Sequence, residues 1–272
     1  MKILFVHDSK YEVKDGLWAA LNLLEKQGFE IVMVNLFERP DFVDLTPTDT
    51  SDWFVLGWGA FNSKVDNLIS APNKFMGMKK GLCIAGNSFP PDSQDRYDIL
   101  FYETEWYLPQ IQHHKNVVRA FGINSDIYKP IPDAIKIWDW LTVGSFALWK
   151  RHYLFKEKGG YKLAIGEIQK ENMSESIDII GDLLLNNIAV SDMIEPEKLA
   201  MLYNSSNKTF VGADINGGGE RAVLESLSCG TPVFVESDNP KLEELTVWKE
   251  RGRVPDQHWY SDKLREGIES CF

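Results

Sequence analysis

Residues 217–235 read GGGERAVLESLSCGTPVFV. Three glycines run straight into a stretch with helical spacing. Gly230 closes that stretch and Pro232 bars its continuation. KTFVGAD (208–214) before the loop and PVFVES (232–237) after the helix both read as strands. Val223, Leu224 and Leu227 share the core-facing side of the helix, and Arg221 and Glu225 form an i, i+4 pair on another. Gly217, Gly218 and Gly219 let a ligand approach the backbone closely. A helix start offers unpaired N–H groups and partial positive charge, both suited to phosphate. The string is neither a P-loop, since no GK[ST] follows, nor GxGxxG. A tight turn, with Glu225 paired to Arg221 on a solvated face, is the plain alternative.

The same alternation runs outward from this stretch. In the second half, WLTVGS (140–145), KLAIGEI (162–168) and NIAV (187–190) read as strands. LWKRHYLFKEK (148–158), SESIDIIGDLLLN (174–186) and a segment opened by Pro196 read as helices. In the first half, 2–9, 30–36, 52–58, 81–87, 98–104 and 116–122 read as strands, with a helix over 16–28 closed by Gly28. Strands alternating with helical stretches predict parallel sheets with helices on both faces. FGINSDIYKPIPDA (121–134), with two prolines and a polar cluster, is the seam. Two α/β domains are expected, 1–130 and 131–258, with a C-terminal helix over 259–272 completing the first.

The chain has 272 residues, long enough for two such domains. Its 40 acids against 29 bases give a formal net charge of -11, which disfavours a nucleic-acid partner. Cys83, Cys229 and Cys271 form no CxxC and read as reduced thiols of a cytoplasmic protein. No signal peptide and no transmembrane run is visible. No His/Asp/Glu spacing suggests a metal site, and no cofactor is expected.

LESLSCGTPV (224–233) resembles the C-terminal signature of nucleotide-sugar glycosyltransferases of the two-Rossmann-domain (GT-B) fold, especially the retaining glycosyltransferase family 4 type. WLTVGSFALWKRHYLF (140–155), GINSDIYKP (122–130) and DGLWAALNLLEKQGFEIVMV (15–34) extend the resemblance. It implies two tandem Rossmann-like domains facing a central cleft. It also implies transfer of a sugar from a nucleoside-diphosphate sugar to an acceptor hydroxyl, with retention and without metal. Carried over by residue, Glu225 falls on the Glu that binds the ribose hydroxyls and Lys150 on the Lys that binds donor phosphates. SDMIEP (191–196), around Met193, falls where backbone contacts the base.

The chain departs from the family at three places. Gly217 stands where a second Glu contacts the transferred sugar, and Glu220 is the nearest acid. Ser145 stands where an Arg follows Gly144, leaving Arg151 to compensate. Asn87 or Ser88 stands near the place of an N-domain His. Gly217 cannot act as a nucleophile, so front-face attack assisted by the departing phosphate is the natural mechanism. Lys150, Arg151 and the helix start at 217–220 would stabilise the leaving diphosphate. On the acceptor side the candidates are His7 at the end of the first strand, and Glu103 and Glu105 after the fifth. Trp138, Trp140 and Trp149 read as packing around the seam, and His113 and His114 as a solvated turn. Two rival readings remain: a nucleotide-sugar epimerase of the same fold, and a non-catalytic partner subunit that binds donor or acceptor.

Overall fold

The computed structural model describes residues 1–9, 15–39, 52–85 and 94–272. The chain divides into two compact units, Met1–Gly122 with Asp256–Phe272, and Ile123–Pro255. Each is built on its own parallel sheet, so the fold is two Rossmann-like domains.

The first sheet holds β1 (Lys2–His7), β2 (Glu30–Asn35), β3 (Trp53–Gly59), β4 (Lys79–Ile84), β5 (Ile99–Tyr102) and β6 (Val117–Arg119). Its order is β2-β1-β3-β4-β5-β6, all neighbours parallel. Ile3, Leu4, Phe5 and Val6 are all fully buried. Such an unbroken apolar run is what a strand covered on both faces requires. Helix α1 (Gly16–Lys26) starts at Asp15, whose carboxylate accepts from the Leu17 and Trp18 N–H groups (3.0 and 3.2 Å). Among the described residues two short helices follow, α2 (Lys64–Ile69) and α3 (Leu108–Ile111).

The second sheet holds β7 (Trp138–Val143), β8 (Lys162–Ile165), β9 (Ala189–Ser191), β10 (Ser206–Val211) and β11 (Val233–Val235) in the order β11-β10-β7-β8-β9. Its helices are α4 (His152–Lys156), α5 (Met173–Leu185), α6 (Pro196–Asn204), α7 (Glu220–Ser228) and α8 (Pro240–Val247). Phe146, Phe155, Ala164, Leu183, Ile188 and Phe210 form the apolar cluster of this unit. The continuous helix expected over 148–158 is broken. A single 3-10 turn, Leu148–Lys150, ends at Arg151, whose φ of 49° and ψ of 44° are left-handed, and α4 starts only after it.

Residues 123–130, expected in the first domain, belong to the second unit. Their backbone is tied to its helices: Asn204 Nδ2 donates to the Lys129 carbonyl (3.0 Å) and Ser228 Oγ to that of Tyr128 (2.6 Å). The chain returns to the first unit at Asp256, which caps the last helix, α9 (Gln257–Glu269), by accepting from the His258 and Trp259 N–H groups (3.0 Å each). Tyr260, Leu264 and Ile268 of α9 are buried.

Gly267 brings α9 close to β5. A Cβ there would lie 2.6 Å from Phe101 Cε1 and 2.7 Å from Ile99 Cδ1. Gly267→Ala should therefore destabilise the first unit by about 1–3 kcal/mol, the usual cost of overpacking. Urea unfolding followed by fluorescence checks this.

Candidate functional site

In the second sheet the strand order reverses between β7 and β10, which pair in parallel. Doubly wound sheets take their ligands beyond the strand ends at such a point. The loops that meet there are 144–151, after β7, and 212–219, after β10.

The first loop turns on a backbone-to-backbone approach. A Cβ on Gly166, just after β8, would run into the Gly144 carbonyl oxygen. Gly144 itself has a φ of 156°, and a Cβ on it would sit 3.4 Å from Lys150 Cδ and Cε. The Ser145 carbonyl accepts from His152 Nε2 (3.0 Å). His152 is buried, and burial holds its pKa below the ordinary imidazole value.

Arg151 fastens the two loops together. Its Nε donates to the Gly212 carbonyl (2.6 Å) and its Nη2 to that of Ala213 (3.1 Å). Both Nη atoms also reach the Asp238 carboxylate (2.6 and 2.8 Å). The Asp214 N–H donates to the Trp149 carbonyl (2.9 Å). Asn239, fully buried at the start of α8, donates from Nδ2 to the carbonyls of Ala213 and Asp214 (2.9 Å each). Arg151 thus lies beside Lys150 in sequence, but its guanidinium is engaged in holding backbone. Its left-handed φ is unusual for a non-glycine residue, and these bonds over-determine it.

Lys150 reaches the glycine loop. Its Nζ donates to the Gly218 carbonyl. Burial pulls its pKa down to about 8, assisted by Arg221 and Lys241 and opposed by Glu220 and Asp214. Gly217, Gly218 and Gly219 lead into α7 with Gly219 at the N-cap, so no side chain caps this helix start. A Cβ on Gly217 would lie 2.9 Å from both the Cδ1 and the carbonyl oxygen of Trp149. The position where the resembled family carries a sugar-contacting Glu is thus backed by Trp149.

Glu220 is buried at the first position of α7. Its Oε2 accepts from the Gly219 N–H (2.7 Å), and its Oε1 pairs with Lys241 Nζ (3.0 Å), which is 1% exposed. Desolvation would raise its pKa, but Lys241 and the backbone hydrogen bond outweigh this and hold the carboxyl below its usual range.

Glu225 is buried as well, on the flank of α7 that meets α6 and residue 128. Its Oε2 accepts from the Tyr203 hydroxyl (3.3 Å), and Tyr128 also hydrogen-bonds it. Burial and this carboxylate raise both phenol pKa values. Met193 follows β9 on the surface, and its N–H donates to Asp192 Oδ1 (2.7 Å).

The sequence did not single out Lys241, Asp238 or Asn239. The one available signal was Asn239-Pro240, an N-cap and first-turn pair placed just after the last strand.

In the first unit, His7 ends β1 where that strand order reverses between β1 and β3. It is buried, stacked on Phe5 with centroids 5.5 Å apart, and meets the Trp18 ring edge-on at 4.9 Å. Burial lowers its pKa. The Glu105 carboxylate meets Arg119 Nη1 (3.4 Å), and the Glu103 carbonyl accepts from Arg119 Nε (3.2 Å). One arginine thus meets the Glu105 carboxylate and the Glu103 backbone. Asn87 and Ser88 lie outside the described residues. Among the described residues no three His, Cys, Asp or Glu side chains gather to hold a metal ion. No described helix is long and apolar enough to cross a membrane.

No protein-family model matches the chain, and no curated protein sequence matches it. Solved structures do. Sucrose-phosphate synthase from Thermosynechococcus elongatus is similar at a TM-score of 0.66 and 13% identity, over 99% of this chain and 90% of that one. Anabaena Alr3699/HepE, in complex with UDP and glucose, is similar at 0.65 and 12%, over 100% and 89%. A glycosyltransferase from Rickettsia africae is similar at 0.61 and 15%, over 100% and 88%. The fold is therefore that of GT-B glycosyltransferases, across both units.

The burial of Glu225 gives its substitution a cost in stability, which a carboxylate standing open at a cleft would not have. Glu225→Ala leaves two buried tyrosine hydroxyls without their acceptor and should destabilise the second unit by about 1–3 kcal/mol. Glu225→Gln, which keeps an acceptor, should lose less. Denaturant unfolding of the two variants compares them.

Proposed function

We propose that the chain is a glycosyltransferase that takes its sugar from a nucleoside-diphosphate sugar. One observation carries this reading: Lys150, held on a turn fastened by Arg151, presents an ammonium to the glycine loop at the head of α7. That loop lies at the strand-order reversal of a GT-B fold. An ammonium, backbone N–H groups and a helix start supply positive charge where a diphosphate leaves, and none of it requires a cation. The UDP-bound HepE structure, similar in fold, makes UDP the first nucleotide to test.

The residues divide by role. Lys150 binds and stabilises the leaving diphosphate. Gly217, Gly218 and Gly219 let it lie against the backbone, and Gly144 and Ser145 shape the turn beneath it. Glu225 serves the ribose hydroxyls, its carboxylate exchanging a tyrosine for the ligand, while backbone around Met193 faces the base. Arg151 acts by positioning Lys150. The first unit carries the acceptor hydroxyl, with His7, Glu103 and Glu105 as its polar groups. Reaction is with retention, by front-face attack, and takes place in the cytoplasm. A second reading has a specific support: Gly217 has no side chain to offer the sugar, and Trp149 closes in behind it. That arrangement also suits a subunit that binds a donor without turning it over.

The test separates phosphate from nucleoside. Lys150→Ala should weaken UDP by about 1.5–3 kcal/mol, the worth of a charge-assisted hydrogen bond, and leave uridine nearly unchanged. Calorimetry with both ligands measures this, and a UDP-, GDP- and ADP-sugar panel then reads transfer or donor hydrolysis. Equal losses for UDP and uridine would make Lys150 structural. Binding without any turnover would select the second reading.

A further inference from the structure

The Gly218 carbonyl and the Gly219 N–H belong to one peptide unit, and that unit is gripped at both ends. Lys150 Nζ donates to its oxygen, and its N–H donates to Glu220 Oε2 (2.7 Å). The grip points the peptide the wrong way for an anion. A carbonyl oxygen faces the ammonium that would hold a phosphate, while the N–H is turned into a buried carboxylate. The backbone carries the mark of this. Gly219 has a φ of 152° and a ψ of -5°, a conformation L side chains rarely adopt.

We propose that the Gly218–Gly219 peptide is a phosphate-binding group masked in this conformation, and that it turns over when a nucleoside diphosphate arrives. The inference rests on the donor-site reading above. A half-turn of the peptide reverses which of its ends faces Lys150. The ammonium exchanges the carbonyl for a phosphate oxygen, and the Gly219 N–H turns to donate to the same anion. Gly219 then passes from a φ of 152° to roughly -30° and leaves the positive-φ region. The carbonyl, now turned inward, meets the Glu220–Lys241 pair, where Lys241 Nζ is a donor 3.0 Å from Glu220 Oε1. Both residues that flank the peptide bond are glycines, so no Cβ opposes the rotation. A Cβ on Gly218 would meet only side-chain ends, Glu220 Oε2 at 3.4 Å and Lys150 Nζ at 3.8 Å. The ligand thus replaces an internal contact of Lys150 instead of finding it ready.

Crystal structures of the full chain with and without UDP test this. The expected result is the Gly218 carbonyl on Lys150 without ligand, and the Gly219 N–H on a phosphate oxygen with it. UDP bound while Lys150 still holds the Gly218 carbonyl would overturn the flip and leave the donor site standing. No UDP binding by calorimetry would overturn both.

Discussion

The buried ion pair between Glu220 and Lys241 is the constraint on which the head of the second unit depends. A carboxylate that leaves water without a partner costs several kcal/mol, so a buried Glu220 must keep its lysine. Lys241 is fixed by α8, and α8 is fixed by Asn239, whose side chain holds the carbonyls of Ala213 and Asp214. The carboxylate therefore has one place to be. From that place its other oxygen takes the Gly219 N–H, which in turn sets where the Gly218 carbonyl points. Lys150 arrives from the opposite loop to meet that carbonyl. Three charged groups and one peptide bond form a single arrangement, assembled from the ends of β7 and β10 and the start of α8.

The depressed pKa of Lys150 follows from the same arrangement, and it has a sign. Its folded value of about 8 lies below the ordinary lysine value of 10.5, so the unfolded chain binds this proton more tightly. This group therefore opposes folding below about pH 8, and the opposition fades as pH rises from there toward the ordinary value. A site that holds a cation at such a cost is poised for an anion, which would stabilise the protonated form.

Much of this was legible in the sequence. The alternation of buried runs and helical spacing gave two parallel sheets, because parallel strands covered on both faces cannot hide their apolar character. The glycine loop ahead of α7 was readable because it follows a strand end, and Lys150, six residues after Gly144, was reached through the resemblance carried by 140–155. Partnerships across elements were not. Nothing local to Glu220 announces Lys241, and nothing in Arg151 announces a left-handed backbone that breaks the expected helix over 148–158. Glu225 was singled out through the resemblance carried by 224–233, and its contacts with the tyrosines at 128 and 203 are ones that only the fold brings together. Asn87 and Ser88 fall outside the described residues, so the acceptor side rests on fewer of its sequence candidates.

Proton linkage tests most directly whether a diphosphate meets the Lys150 ammonium. Calorimetric titrations with UDP in buffers of different ionisation enthalpy, near pH 8 to 9, count protons taken up on binding. In the free protein Lys150 is partly deprotonated in that range, and a bound diphosphate should restore its proton. Net proton uptake should grow as pH rises through about 8 and be absent in Lys150→Met. Binding with no proton uptake, or with uptake unchanged in Lys150→Met, would contradict it.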